Sequence, residues 1–147
     1  MIHVYTKERH VTKIDNFLNF IQLEHRIFTS TPGSESENFD LGVSYCFPKR
    51  ISEPLLGMAK KGFVNYHPGP LPKYKGPFEY EQAIKNKETQ WGVTVHQMDK
   101  NFDSGEIIEI KNFDLHDVPS SIQELGAISH YFLFNLFKET IQKIYNN

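Results

Sequence analysis

The stretch Phe63-Val64-Asn65-Tyr66-His67-Pro68-Gly69-Pro70-Leu71-Pro72 decides the fold of this chain. Its first five residues predict a strand, which ends at the proline-rich turn behind them. Upstream, residues 51–61 predict a short helix that Gly62 stops, and the nearly continuous apolar run 41–47 predicts a strand covered on both faces. Because such a strand, helix, strand crossover makes parallel strands in nearly all sheets, His67 is expected at a carboxyl end, where open α/β sheets bind ligands.

The remaining elements extend this unit in both directions. Predicted strands cover residues 2–5, 26–29, 93–98 and 106–111, the last two as a hairpin, and a further helix covers 78–86. A capping box of Thr12 and Asp15 predicts the start of an early helix, and Ser121 with Glu124 predicts the start of a long last helix. The expected fold is a single α/β domain over residues 1–147, with a mainly parallel twisted sheet flanked by helices.

Length, composition and charge narrow the classes of function. A chain of 147 residues suits one core, to which 12 Phe and 7 Tyr contribute apolar surface. The formal net charge of -2 gives no field that attracts nucleic acid or an anionic membrane. One cysteine, Cys46, leaves no disulfide framework, and no apolar run suits a signal peptide or a membrane span. These features predict a soluble, cytoplasmic protein with no nucleic-acid or membrane partner.

Two polar side chains leave the central predicted strand on the same face. Asn65 and His67 are two residues apart, whereas Val64 and Tyr66 point to the other face. Asp103 lies in the turn between the last two predicted strands, where a carboxylate can point back toward the sheet. An amide that stabilises an oxyanion, an imidazole that transfers a proton and a carboxylate that orients the imidazole suit acyl transfer to an amine. If the Asp103 carboxylate meets His67, these three residues form a candidate catalytic trio; from the residues alone, an ordinary polar strand end at Asn65 and His67 and a turn-forming Asp103 remain the alternative.

Three blocks of the sequence, in this order, resemble the signatures of folate-dependent formyltransferases. They are Phe63-Val64-Asn65-Tyr66-His67-Pro68-Gly69-Pro70-Leu71-Pro72-Lys73-Tyr74-Lys75-Gly76, Gly92-Val93-Thr94-Val95-His96, and Asp103-Ser104-Gly105-Glu106-Ile107-Ile108. The resemblance implies a Rossmann-like formyltransferase core with a hairpin and a long C-terminal helix. This core is similar to the catalytic domains of glycinamide ribonucleotide, methionyl-tRNA and amino-sugar N-formyltransferases.

The resemblance also implies a formyl donor and the residues that hold it. The donor is 10-formyltetrahydrofolate, whose formyl group Asn65 and His67 activate while Asp103 supports His67. The pteridine of the folate is expected against the backbone of Phe47-Pro48-Lys49-Arg50-Ile51, and the loop from Asp99 to Gly105 is expected to close over it. The implied acceptor is a small-molecule primary amine.

Departures from the resembled family bear on the identity of the acceptor. Fewer residues than usual precede the apolar strand, and a glycine-rich phosphate loop is missing, so the domain is expected to be amino-terminally shortened. This weakens glycinamide ribonucleotide as acceptor. The lack of a carboxy-terminal RNA-binding domain and the net charge weaken initiator tRNA. A free or nucleotide-linked amino sugar is the preferred acceptor.

Two alternative functions are compatible with parts of this site. In the first, water is the acceptor, and the protein hydrolyses 10-formyltetrahydrofolate to formate. In the second, the chain binds folate or a partner protein without catalysis. Release of formate in the absence of an amine distinguishes hydrolysis from transfer.

Several other residues are interpreted as structural. His96 is expected to be a satisfied structural histidine, and Cys46 a small buried apolar side chain. The remaining histidines lack metal-ligand spacing, so no metal site is predicted. Leu71-Pro72 is a candidate for a cis peptide bond. An aromatic series in the last helix predicts either a broadly buried helix or a homodimer interface; it comprises Tyr131, Phe132, Phe134 and Phe137.

Overall fold

The computed structural model describes residues 1–33, 37–99 and 105–147. Its elements, in chain order, are β1 (Ile2–Thr6), α1 (Glu8–Phe20), β2 (His25–Phe28), β3 (Leu41–Tyr45), α2 (Glu53–Leu56), β4 (Phe63–His67), α3 (Glu79–Lys85), β5 (Gln90–Gln97), β6 (Ile107–Asp114) and α4 (Ile122–Asn146). In this described part, every helix lacks the combination of length and apolar character that a membrane span requires.

The strands form one sheet in the order β2-β1-β3-β4-β5-β6. The pairs β1 with β2, β1 with β3, and β3 with β4 are parallel, whereas β5 pairs antiparallel with both β4 and β6. This confirms the mainly parallel α/β sheet, the crossover from β3 to β4, and the hairpin. Strand β4 therefore lies where the parallel part of the sheet meets the antiparallel part, with its carboxyl end at His67.

Helices cover both faces of the sheet. On one face, Ile14 and Leu18 of α1 and Phe137 of α4 belong to a buried cluster with Tyr45 and Tyr66 of the two central strands. On the other face, α2 contributes Leu55 to a second buried cluster that contains Tyr5 and Phe63. Since residues alternate along a strand, Asn65 and His67 lie on the face of Phe63.

Helix α1 begins earlier than the sequence predicts. Lys7 is its N-cap, with extended backbone at φ -85° and ψ 151°, so the helix starts directly after β1 and Thr12 lies inside it. The Thr12–Asp15 capping box is therefore wrong. The buried face of the helix explains the earlier start, because its buried residues His10, Ile14 and Leu18 follow the helical period from the first turn onward.

Two other predicted helix starts are confirmed. The helix predicted over residues 51–61 is α2, which begins near the predicted start but ends early, at Leu56; the Ser52 hydroxyl accepts a hydrogen bond from the Leu55 N–H at its first turn. At α4, the Ser121 hydroxyl accepts from the Glu124 N–H at 3.1 Å. The Glu124 carboxylate in turn accepts from the Ser120 N–H at 2.9 Å, so the carboxylate reaches one residue further back than a standard capping box requires.

The aromatic series of α4 packs largely within the chain. Phe137 is fully buried, Phe134 stacks on it at 6.1 Å between ring centroids, and Phe132 stacks on Phe113 of β6 at 3.9 Å. Tyr131 is 66% exposed. The broadly buried helix thus accounts for three of the four aromatic residues, and the homodimer stays a prediction.

Candidate active site

A cleft of about 500 Å³ lies at the carboxyl ends of the central parallel strands. Its lining includes Asn65 and His67 from β4, His96 from β5, and Phe47 from the segment after β3. Asn65 and His67 thus line a cavity of ligand size at the carboxyl ends of the strands, and their catalytic roles stay predictions.

The amide of Asn65 is oriented by a histidine on the neighbouring strand. Asn65 and His96 are partners in the register of β4 with β5, and Asn65 Nδ2 lies 3.1 Å from His96 Nε2. His96 Nδ1 lies 2.8 Å from the carbonyl oxygen of Gln97, which can only accept, so Nδ1 carries the proton and Nε2 accepts from Asn65. His96 is 1% exposed, and the register of β5 with β6 shifts between Val95 and His96. It is satisfied, as expected, and it also orients the candidate site.

The imidazole of His67 is held by the turn that follows it. His67 is 6% exposed, and its Nε2 lies 2.9 Å from the carbonyl oxygen of Tyr74. Because that oxygen accepts only, Nε2–H is the donor, and a neutral ring carries its lone pair on Nδ1. The Tyr74 hydroxyl donates to the carboxylate of Glu88 at 2.7 Å and accepts from Asn86 at 3.1 Å. The position of the carbonyl is thereby tied to the end of α3.

The proline-rich turn is fastened to β5 by one hydroxyl. Thr94 Oγ1 donates to the carbonyl of Gly69 at 2.9 Å and accepts from the N–H of Leu71 at 3.2 Å. Trp91 Nε1 donates to the Pro68 carbonyl at 3.3 Å. The Leu71-Pro72 bond is cis, which confirms that prediction. The turn next to His67 is thus held in place by three hydrogen bonds to side chains of β5.

The predicted site residues fall into three groups. Asp103 lies outside the described residues, so its proposed contact with His67 stays a prediction. Phe47, Pro48 and Lys49 line the cleft.

The other predicted folate-binding residues are not among the described side chains that line the cleft. Ile51 is 3% exposed and packs in the cluster around α2, while Arg50 and Asp99 are exposed. Gly105 presses against the Gln97 carbonyl so closely that a side chain there would overlap it. The backbone roles predicted for the residues 47–51 stay predictions.

Basic side chains dominate the charge of the cleft. Lys7, Arg9 and Lys49 line it, and Glu79, which is 6% exposed, supplies a carboxylate. His130 of α4 also lines it; burial, with Arg9 as the next cause, lowers its pKa to about 4, so the ring is neutral at pH 7. A second cavity of about 480 Å³ shares Arg9 and His130 with the cleft.

Sequence reasoning missed two features: the groups that orient Asn65 and His67, and the basic side chains that line the cleft, here called the basic rim. His96 and Tyr74 stand inside the quoted blocks, but their contacts depend on strand register and on the path of the turn. The signal for the rim was the pair Lys7 and Arg9 directly after the first strand, since a βα junction at a sheet edge is a common place for ligand contacts.

The arrangement of these polar groups is typical of enzymes that transfer acyl groups. An amide and an imidazole, each held by a partner outside its own strand, face a cleft at the switch point of an α/β sheet, and this arrangement suits the handling of an acyl group.

The chain belongs to the formyl transferase family. A family model described as "Formyl transferase" matches residues 32–126. Methionyl-tRNA formyltransferase of Borrelia hermsii (strain HS1 / DAH) is 33% identical over 107 residues, which is 73% of this chain and 34% of that protein. GDP-perosamine N-formyltransferase of Brucella melitensis biotype 1 is 33% identical over 98 residues, which is 61% of this chain and 38% of that protein. The chain thus spans about a third of the length of the curated relatives it matches.

Solved structures agree with the fold. The structure of WlaRD, a sugar 3N-formyl transferase in the presence of dTDP and 5-N-formyl-THF, superposes with a TM-score of 0.83 at 24% identity. The match covers 99% of this chain and 63% of that one. The Rossmann-like formyltransferase fold predicted from the sequence is confirmed.

Proposed function

We propose that this chain transfers a formyl group from 10-formyltetrahydrofolate to a primary amine of a small molecule. The observation that carries the proposal is the Asn65 amide, held by His96 beside the buried imidazole of His67 in one cleft. Membership of the formyl transferase family supports the reaction class. The 5-N-formyl-THF in the WlaRD structure supports a folate as the donor.

In the proposed reaction, the amine nitrogen attacks the formyl carbon and the carbonyl electron pair moves onto oxygen. One N–H of the Asn65 amide donates to His96, and the other stabilises the negative oxygen. The intermediate then collapses with cleavage of the bond between the formyl carbon and N10. His67 transfers the proton lost by the amine toward N10, and Asp103 is proposed to support it. The products are an N-formyl compound and tetrahydrofolate.

Binding of a stable folate is the first test of this function. Calorimetry of the full chain with 5-formyltetrahydrofolate should give a dissociation constant of about a micromolar. A formyl transfer assay then follows tetrahydrofolate and N-formyl product with a panel of amines. The absence of binding at millimolar folate would overturn the proposal. Formate release that does not depend on an amine would instead establish hydrolysis.

For the acceptor, we propose an amino sugar linked to a nucleotide. The basic side chains Lys7 and Arg9 line the cleft, and the adjoining cavity adds Lys13, so an acceptor that carries phosphate meets favourable charge. A sugar acceptor agrees with the printed names of GDP-perosamine N-formyltransferase and WlaRD, which concern those proteins.

The acceptor proposal is tested by comparing one amino sugar in free and dTDP-linked form. The kcat/KM should favour the linked form, and Arg9→Met should raise the KM for that form about tenfold, in line with the loss of one charge-assisted hydrogen bond. Lys60→Met is the matched control, because Lys60 pairs with Asp40 and does not line the cleft. Equal kcat/KM for the two forms, or a preference for methionyl-tRNA, would contradict the proposal.

A further inference from the structure

Three side chains with metal-binding atoms converge beside the cleft from three different elements. They are His10 of α1, Cys46 at the end of β3, and His130 of α4, and one ligand atom of each lies within 4.8 Å of the others. We propose that His10, Cys46 and His130 bind one zinc ion. Imidazole nitrogen and thiolate sulfur are the donors that zinc prefers in proteins.

One nitrogen of each of the two imidazoles lacks a hydrogen-bond partner among the described residues. Nδ1 of His10 and Nδ1 of His130 are buried and make no hydrogen bond among the described residues. A buried polar atom without a partner costs free energy, which a ligand can recover. The two rings are also close neighbours, tilted by 36° with centroids 5.1 Å apart. A shared ion between them satisfies both nitrogens.

The protonation states favour the histidines as ligands. Burial, followed by the charges of neighbouring Lys13, lowers the pKa of His10 to about 3, and burial lowers that of His130 to about 4. Both rings are therefore neutral at pH 7 and ready to coordinate. Arg9 Nε donates to His10 Nε2 at 3.3 Å; zinc at Nδ1 leaves the ring proton on Nε2, so Arg9 must turn away from this ring when the metal binds.

The cysteine supplies the negative charge that the site needs. Burial raises the pKa of the Cys46 thiol to about 12, so zinc binding must expel the thiol proton. Lys7, Lys13 and Arg9 favour the thiolate, while they oppose a dication. With the thiolate bound, the complex carries one positive charge, and these same cations favour an anion or hydroxide as the fourth ligand.

The distances require only a small adjustment. Zinc bond lengths place tetrahedral ligand atoms about 3.3–3.7 Å apart, so the side chains must approach by roughly 1 Å. Sequence spacing gave no sign of the site, because metal-ligand spacing is recognisable only when two ligands lie on one element or turn. The proposal concerns metal binding alone and does not require formyl transfer, although Cys46 and His130 line the same cleft.

The test is metal binding by the full chain after removal of metals with a chelator. Titration with Co²⁺ should give the near-ultraviolet charge-transfer band of a thiolate ligand and the intense visible bands of tetrahedral cobalt. Zn²⁺ should displace the cobalt at one ion per chain and raise the Tm. Cys46→Ser should abolish the charge-transfer band, and both Cys46→Ser and His130→Gln should weaken zinc binding about tenfold or more.

His116→Gln is the matched control, because His116 has an 89% exposed side chain and lies away from the cluster. It should bind zinc as the wild type does. Circular dichroism of each variant separates loss of a ligand from loss of the fold, and His130→Gln tests the site if Cys46→Ser does not fold. The proposal would be overturned if the wild type fails to bind zinc at 100 μM. It would also be overturned if both Cys46→Ser and His130→Gln bind zinc as tightly as the wild type.

Discussion

Asn65 and His67 each depend on a group that does not belong to their own strand. His96 accepts from the Asn65 amide, and the Tyr74 carbonyl accepts from His67. These contacts select which amide atom and which ring nitrogen face the cleft. Orientation of this kind lowers the reorganisation that a reaction requires, because the donors already point where charge develops.

Replacement of either central side chain should impair transfer without unfolding the protein. We expect Asn65→Ala and His67→Ala to lower kcat by about 100-fold or more, because an oxyanion donor or a proton-transfer group is lost. Steady-state kinetics of formyl transfer measures the effect. Asn16→Ala, on the exposed face of α1, serves as control and should keep wild-type rates. Near-wild-type activity in both site variants would refute the assignment.

His96 should act as a positioning residue. His96→Leu removes the acceptor for the Asn65 amide and should lower kcat about 10- to 100-fold, with little change in the KM for the folate. His96→Gln should recover part of the rate, because its side-chain oxygen can accept the same hydrogen bond. A purely structural role for His96 predicts equal loss in both variants, with a matching loss of thermal stability.

The sequence predicted the pair but not its supports. A strand has a side-chain period of two, so Asn65 and His67 had to share a face whatever the rest of the fold did. The bond to His96 depends on the antiparallel register of β4 with β5, and that register is set by a connection whose path no local pattern determines. The contact with Tyr74 depends likewise on the course of a turn.

At the scale of elements, packing determined the boundaries that local signals predicted least well. The capping box at Ser121 marks the start of α4 because the neighbouring side chains satisfy free N–H groups there. The similar pattern at Thr12 failed, since α1 buries His10 and extends back to β1. Burial of one helix face outweighs a cap, which contributes about 1 kcal/mol.

The contact between β3 and β4 offers a test at this scale. A side chain at Gly42 would overlap the ring of Phe63, its partner in the parallel register. We expect Gly42→Ala to lower the free energy of unfolding by about 1–3 kcal/mol, because the ring must move within a packed core. Urea denaturation measures this loss.

Gly33→Ala provides the comparison for that variant. A Cβ added at Gly33 meets nothing within 4 Å among the described residues, so the change in unfolding free energy should stay within about 0.5 kcal/mol. Equal stability of the two variants would show that the β3–β4 contact yields more easily than the structure indicates.

At the scale of the whole molecule, buried histidines link stability to pH. Burial is the main cause that lowers the pKa of His3 to about 4, of His10 to about 3 and of His130 to about 4, from an ordinary 6.5. Between these values the unfolded chain binds more protons than the folded one, so the free energy of unfolding rises with pH. These histidines cost no stability above pH 6.5, and stability is lost as pH falls from 6.5 toward 4.

The corresponding measurement is urea denaturation at pH 7.5 and at pH 5 in the presence of a chelator. The midpoint should fall at the lower pH because all three rings remain neutral in the folded state. His10→Gln should flatten this dependence, whereas the exposed His116→Gln should leave it unchanged. A midpoint that is equal at both pH values would contradict the role of the buried histidines.

The packing of α4 on the central strands has a consequence for synthesis on the ribosome. Phe137 contacts the rings of Tyr45 and Tyr66, and Thr140 shares a hydrogen bond of 2.8 Å with the Tyr66 hydroxyl. The nascent chain therefore exposes the apolar face of β3 and β4 until the distal part of α4 emerges from the exit tunnel. During that interval β4 presents an apolar surface to which chaperones can bind, and folding should complete only after translation of this helix.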